Sequence, residues 1–196
     1  MGRPAKHDAA TMLKAASQII ARCGPAAATI AAISDVVGAP SGSIYHRFPT
    51  REHLLGRLWI DMATEYQNSW VEAAANEVDP VEAGLAAALT IPRGVRKDLL
   101  AARIMLLYRR EDFIAEGWPA ELEEAARRLR EQVKTELAVL SRRLFGKADR
   151  ATIQRTSFAT LDLPLAAVRR SLEQGTPLPF QTETLIERAY RGLIKD

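Results

Sequence analysis

The sequence predicts an all-α protein of nine helices, with a small N-terminal helix-turn-helix domain over residues 1–50 and a larger C-terminal helical domain over residues 51–196. Three observations predict it. Apolar residues return at three- and four-residue intervals along most of the chain, the repeat of one helix face. No stretch requires a β-strand to explain its pattern. A Gly38-Ala39-Pro40 turn divides two short amphipathic segments, the layout of two helices crossing at a glycine-containing turn. Composition agrees: hydrophobic residues make up 47% of the 196, enough for a substantial core, which excludes a disordered chain. No apolar run reaches the roughly 18–20 residues a membrane span needs. The polar N-terminus also lacks the apolar segment of a secretory signal, so no membrane partner is expected. Cys23 is the only cysteine. It excludes an intrachain disulfide, and a reducing cytoplasm is the expected location.

Residues 1–7, MGRPAKH, read as a flexible basic arm. Arg3 either enters a narrow minor groove or belongs to a tail without a role. The first helix covers 8–23, with Ala9, Leu13, Ala16, Ile20 and Cys23 on one stripe. Gly24-Pro25 ends it, and the Cys23 thiol is expected to be packed. Thr29 is placed to cap the second helix, whose apolar face is Ile30, Ile33, Val36 and Val37. Gly38 occupies the position after a helix that turns left-handed. Pro40 suits a first helical position, where its missing N–H is no loss. Ile44 and Phe48 point back at the second helix, which leaves Ser41, Ser43, Tyr45, His46 and Arg47 outside with their hydrogen-bonding groups. The first 57 residues hold seven Lys/Arg against three Asp/Glu, so the positive excess of a chain with net charge +3 lies wholly here. A phosphate-binding part needs that asymmetry.

The same stretch resembles the DNA-binding segment of the TetR family of transcriptional regulators. The family pattern has an Ile-Ala in the first of the two helices, a Gly-Val-Ser turn, Gly-Thr-Leu-Tyr in the recognition helix, then Tyr/His-x-Phe and Lys-Glu-x-Leu. This chain reads Ile33-Ser34, Gly38-Ala39-Pro40, Gly42-Ser43-Ile44-Tyr45, His46-Arg47-Phe48 and Arg51-Glu52-His53-Leu54. Ala39 is smaller than the usual Val, and Pro40 replaces a capping Ser that offers one phosphate contact. The resemblance covers the first quarter of the chain. It implies a ligand-responsive regulator, most simply a repressor, that binds double-stranded operator DNA as a homodimer through a four-helix interface of the last two long helices. Tyr45 and His46 match positions that touch the DNA backbone, and Ser41, Gly42 and Ser43 lie nearest the bases. With Arg47 and Arg51 read as phosphate contacts, the DNA-binding set is Arg3, Thr29, Pro40, Ser41, Gly42, Ser43, Tyr45, His46, Arg47 and Arg51.

The fourth helix begins at Arg51 and runs to about Asn76, with Leu55, Trp59, Met62, Tyr66 and Trp70 on one wide stripe. That stripe is plain core or the wall of a cavity. After Asp79-Pro80 an Ala-rich helix reaches Thr90 and is broken by Ile91-Pro92-Arg93-Gly94. The next helix, 95–110, is apolar nearly all round, so it is expected at the domain centre. Arg103 stands alone in it and needs a partner. An internal carboxylate (Asp162 is the natural one), solvent or a ligand all qualify. Phe113–Pro119 is a bulky loop, and a helix over 120–145 follows with a charged outer face. A helix over 149–174 contains Pro164, which should bend it. The last helix spans 182–194.

From these elements follow two further candidate sets. Trp59, Met62, Tyr66, Arg103, Met105, Tyr108, Trp118, Phe158 and Asp162 are expected to line a cavity for a small apolar or aromatic ligand. Leu161, Leu165, Val168, Leu172, Ile186 and Leu193 are expected to face the second subunit, since few later elements remain to cover them. His7, His46 and His53 have no Cys, Asp or Glu at metal-ligand spacing. There is no phosphate loop after a strand and no nucleophile elbow. No enzyme, metal or cofactor is expected. A helical module that binds DNA without any ligand is the alternative reading.

Overall fold

The computed structural model describes residues 8–114 and 117–195. Its helices are α1 (Ala9–Cys23), α2 (Ile30–Val37), α3 (Ser41–Tyr45), α4 (Arg51–Ala75), α5 (Pro80–Lys97), α6 (Leu99–Leu107), α7 (Arg110–Phe113), α8 (Ala120–Phe145), α9 (Arg150–Ser157), α10 (Leu163–Gln174) and α11 (Thr182–Ile194). A 3₁₀ turn at Pro25–Ala27 and a π-helical turn at Phe158–Asp162 complete the regular structure, and no strand occurs among the described residues. The chain forms two compact units. One contains the described residues up to Met62 together with Tyr108–Ala126, and the other contains Ala63–Leu107 and the residues from Arg127 onward.

In the first unit the local signals act where the sequence places them. Asp8 caps α1, accepting from the Thr11 amide at 2.8 Å. Thr29 caps α2 by accepting from the Ala32 amide at 3.1 Å. Gly38 follows α2 with φ 67°, and its amide bonds to Ser34 O, the left-handed closure that an L side chain resists. The buried face of α1 is Met12, Ala15, Ala16, Ile20 and Ala21. Cys23 is exposed, contrary to expectation. Ala16 and Ile20 of the expected stripe are buried and Leu13 is half-buried, whereas Ala9 and Cys23, at the two ends of the helix, are exposed. Gly56 is where α4 meets later chain: a Cβ there would lie 2.6 Å from Leu122 Cδ1 and 3.1 Å from Ile114 Cδ1. A side chain there would push the ends of both aside.

The second unit is built around α5, not around the helix expected at its centre. Leu85, Ala88 and Leu89 pack with Ala159, Ile186, Tyr190 and Ile194. Ala83 and Ala87 pack with Trp70, Ala74, Leu137 and Leu140. Ile91 and Val95 pack with Ala102, Val168, Leu172 and Leu178. The small residues of α5 let neighbours come close. A Cβ on Gly84 would stand 2.0 Å from Tyr190 Oη, and that hydroxyl donates to Val81 O at 2.9 Å. By contrast, α6 buries only Ala102 and Ile104, and Leu100 is exposed.

The break expected at Ile91-Pro92-Arg93-Gly94 does not occur, because α5 continues through Pro92 to Lys97. An internal proline costs about 3 kcal/mol. Here Ile91, Pro92 and Val95 are all buried, and their burial offsets that cost. Pro164 acts differently from a simple bend. The turn before it widens, so that the Leu163 amide bonds to Phe158 O. This removes the carbonyl that a normal α-turn would push against the proline ring. The buried hydroxyls of Thr156 and Thr160 bond back to Thr152 O and Thr156 O, each at 2.8 Å, a pattern that also bends helices.

Candidate nucleic-acid interface

The helix-turn-helix is held from beneath by Ile44, which is fully buried, and by Phe48 and Ala39, which are buried. The small Ala39 thus fills its place in the turn. Ser34 locks that turn, since its hydroxyl donates to Ala39 O at 2.5 Å and its carbonyl accepts from the Ala39 amide at 3.2 Å. Pro40 precedes α3 with φ −57° and ψ 142°. It therefore lies just before the first helical residue and not in it.

The anchored helix presents Gly42, Tyr45, His46 and Arg47 to solvent, with Ser41 and Ser43 half-buried beside them. Thr29 and Pro40 are exposed as well. Arg47 Nη1 donates to Ser43 O at 3.3 Å, leaving most of the guanidinium free for an oxyanion. Its charge also adds, as a lesser cause, to the lowering of the Asp8 carboxyl below the usual range, which the bonds from Thr11 dominate. Arg3 lies outside the described residues.

Arg51 is a correction. Its Nε donates to Ala28 O at 2.9 Å and its Nη2 to Pro25 O at 2.7 Å, and Nη1 lies 3.9 Å from Glu52. The fork expected on a phosphate instead ties the 3₁₀ turn to the start of α4. Arg51→Ala should destabilise the protein by about 2 kcal/mol in urea unfolding, the scale of two hydrogen bonds from a charged donor, and leave the salt dependence of DNA binding unchanged. Arg47→Ala should do the reverse, lowering the slope of log affinity against log salt by about 1 with stability intact.

Residues 12–58 match the family described as bacterial regulatory proteins, tetR family. Over this segment, about a quarter of the chain, the sequence is similar to the DNA-binding part of that family. No curated protein matches the sequence. Solved structures match over nearly the full length. A TetR family transcription regulator from Marinobacter aquaeolei VT8 is 16% identical, with 94% of each chain covered and a TM-score of 0.72. The transcriptional regulator FadR from Bacillus subtilis, in complex with stearoyl-CoA, is 13% identical, covering 96% of this chain and 98% of that one, with a TM-score of 0.69. The ketosteroid regulator KstR2 of Mycobacterium tuberculosis is 16% identical, covering 98% and 97%, with a TM-score of 0.65. At such identities these likenesses establish a shared fold, a TetR-type helix-turn-helix followed by a helical domain.

The other predicted sets are placed less simply. Of the cavity residues, Trp59, Met62, Tyr108 and Trp118 belong to the first unit, and Tyr66, Arg103, Met105, Phe158 and Asp162 to the second. Trp59 and Trp118 meet edge to face with centroids 5.4 Å apart. The Arg110 guanidinium covers Trp118 at 4.7 Å while pairing with Glu123. Phe158 and Asp162 are exposed, so neither forms a polar or apolar wall. No bond joins Asp162 to Arg103. The Arg103 Nε is buried without a hydrogen-bond partner among the described residues, and a Cβ on Gly175 would lie 2.7 Å from its Nη1. The pairing fails because Asp162 falls on the solvent side of the π-helical turn. Tyr66 packs against the α5–α6–α10 core, where burial, then the charges of Asp98 and Glu65, push its hydroxyl pKa up. Sequence reasoning missed Gln67, whose Nε2 is buried and unpartnered like the Trp70 Nε1, and no sequence signal marks it.

Three of the six interface residues are also corrected. Val168 and Leu172 are 0% exposed and Ile186 1% within a single chain, so they have no surface to offer a partner. Leu161, Leu165 and Leu193 are half-buried. Among the described residues no cluster of three or more His, Cys, Asp or Glu could hold a metal ion, and no helix is long and apolar enough to cross a membrane.

Proposed function

We propose that this chain is a TetR-family transcriptional repressor, homodimeric and cytoplasmic, that leaves its operator when a small amphipathic molecule binds the helical domain following residue 50. The observation that carries the DNA half is the exposed, donor-bearing face of α3 over a fully buried Ile44. Two such helices reach successive major grooves when they stand about 34–36 Å apart. A ligand that favours a state with another separation empties the operator by population shift.

The ligand half is supported by buried donors in the second unit. Gln67 Nε2, Trp70 Nε1 and Arg103 Nε lack hydrogen-bond partners among the described residues, and buried polar groups are normally satisfied. All three are donors, so the molecule sought carries acceptor oxygens on an apolar or aromatic body. Because FadR of Bacillus subtilis was solved with stearoyl-CoA, acyl thioesters belong in the first panel. A thermal-shift series should find a compound that raises the melting temperature, by about 2.7 kcal/mol of stabilisation at 100 times its Kd, and releases DNA. A compound that stabilises the protein and leaves DNA binding unchanged would refute the coupling. A panel with no stabilising compound would favour the ligand-free reading.

For the second subunit, the surface on offer is the outer side of α10 and α11, where Ala166, Ala189 and Leu185 are exposed, Leu185 by 60%. Leu185→Arg should convert the dimer to a folded monomer in gel filtration, with weakened operator binding. An unchanged elution volume would place the interface elsewhere.

A further inference from the structure

We propose that His46 reads a base edge in the major groove, a guanine, rather than the backbone. This rests on the DNA-binding function proposed above and assigns a specificity role within it. Residues of an α-helix advance by about 100° each, and the fully buried Ile44 marks the inward direction of α3. Gly42 and His46 fall opposite it, one turn apart. The phase holds through His46, whose φ of −63° and ψ of −28° are helical and whose amide bonds to Gly42 O. Ser41 and Tyr45 occupy one flank, and Ser43 and Arg47 the other. The 3.3 Å bond from Arg47 to Ser43 O keeps that cation on its flank.

A helix seated in a groove turns its outermost line to the base edges and its flanks to the sugar-phosphate walls. None of the described residues lies within 4 Å of the position a Gly42 Cβ would take, so the backbone at Gly42 makes the nearest approach. His46 is the next side chain along that line and the only long polar one. It makes no side-chain hydrogen bond or ion pair with the described residues. His53 is committed instead, with Nδ1 3.1 Å from Thr50 Oγ1 and Nε2 2.9 Å from Glu121. An imidazole N–H finds two adjacent acceptors on the guanine major-groove edge, N7 and O6, whereas adenine sets its N6 amino donor beside N7. No Arg, Lys, Asn or Gln stands on the outward line to compete for this role.

The test uses a duplex selected from random sequences by the wild-type full-length chain, and its single-base variants as competitors. His46→Ala should flatten the preference at one guanine position of each half-site by roughly 5- to 10-fold, the low end for a base contact, with the same salt slope and the same affinity for unrelated DNA. His46→Gln should move that preference toward adenine, which Gln reads through N6 and N7. A uniform loss on all sequences with a shallower salt slope would make His46 a phosphate contact and overturn the proposal. An unaltered preference profile would overturn it as well. If the wild-type chain selects no sequence, the DNA-binding reading itself fails, a result distinct from either of these.

Discussion

A Val168→Glu variant should lose its folded second unit and should not yield a folded monomer. Val168 is 0% exposed and packs with Ile91, Val95, Ala102, Leu172 and Leu178. A carboxylate placed there meets no cation among the residues of that cluster, whose one polar group is the Tyr66 hydroxyl. Its effective burial penalty is several kcal/mol, and the lost valine packing adds to it. Against a total stability of about 5–15 kcal/mol, a loss of at least about 4 kcal/mol leaves little folded protein. Circular dichroism and urea titration at one protein concentration will read it. A variant with normal unfolding and halved mass in gel filtration would show instead that Val168 faces a partner.

The second large effect concerns Gly42→Leu. The position is helical and exposed, and no atom lies within 4 Å of a built Cβ, so the chain has room for the new side chain. Glycine is a poor helix former, so stability should hold or rise by about 0.5–1 kcal/mol. The leucine would occupy the space through which the α3 backbone approaches the bases. Specific affinity should fall by about 100-fold or more, toward the non-specific level, with the affinity for unrelated DNA little changed. Wild-type operator affinity in a folded Gly42→Leu protein would remove α3 from the interface.

Much of the helix-turn-helix was legible because its signals are local. The Thr29 cap, the left-handed Gly38 and the inward Ile44 each depend on residues within a turn or two. Arg51 was misread because its partners, Pro25 O and Ala28 O, are backbone atoms more than twenty residues away, and backbone carbonyls leave no mark in a sequence. Periodicity marked the apolar side of α10 and α11 correctly, since Val168, Leu172 and Ile186 do lie on it. It does not say which element covers that side, and α5 does so within the chain. Pro92 looked like a terminator because local propensity was counted without the burial that outweighs it. Asp162 suggests itself as the partner of Arg103 because it is a carboxylate in an otherwise apolar turn, but in the π-helical turn before Pro164 it is exposed.

On the proposed function, α3 reads DNA sequence from its exposed face. Selection of duplexes from a randomised pool by the purified full-length chain, at near-physiological salt, tests it most directly. The account predicts an enriched inverted repeat whose half-sites lie one or two helical turns apart, as paired recognition helices require. A bound pool with the same base composition as the input, at every salt concentration where binding occurs, would contradict it.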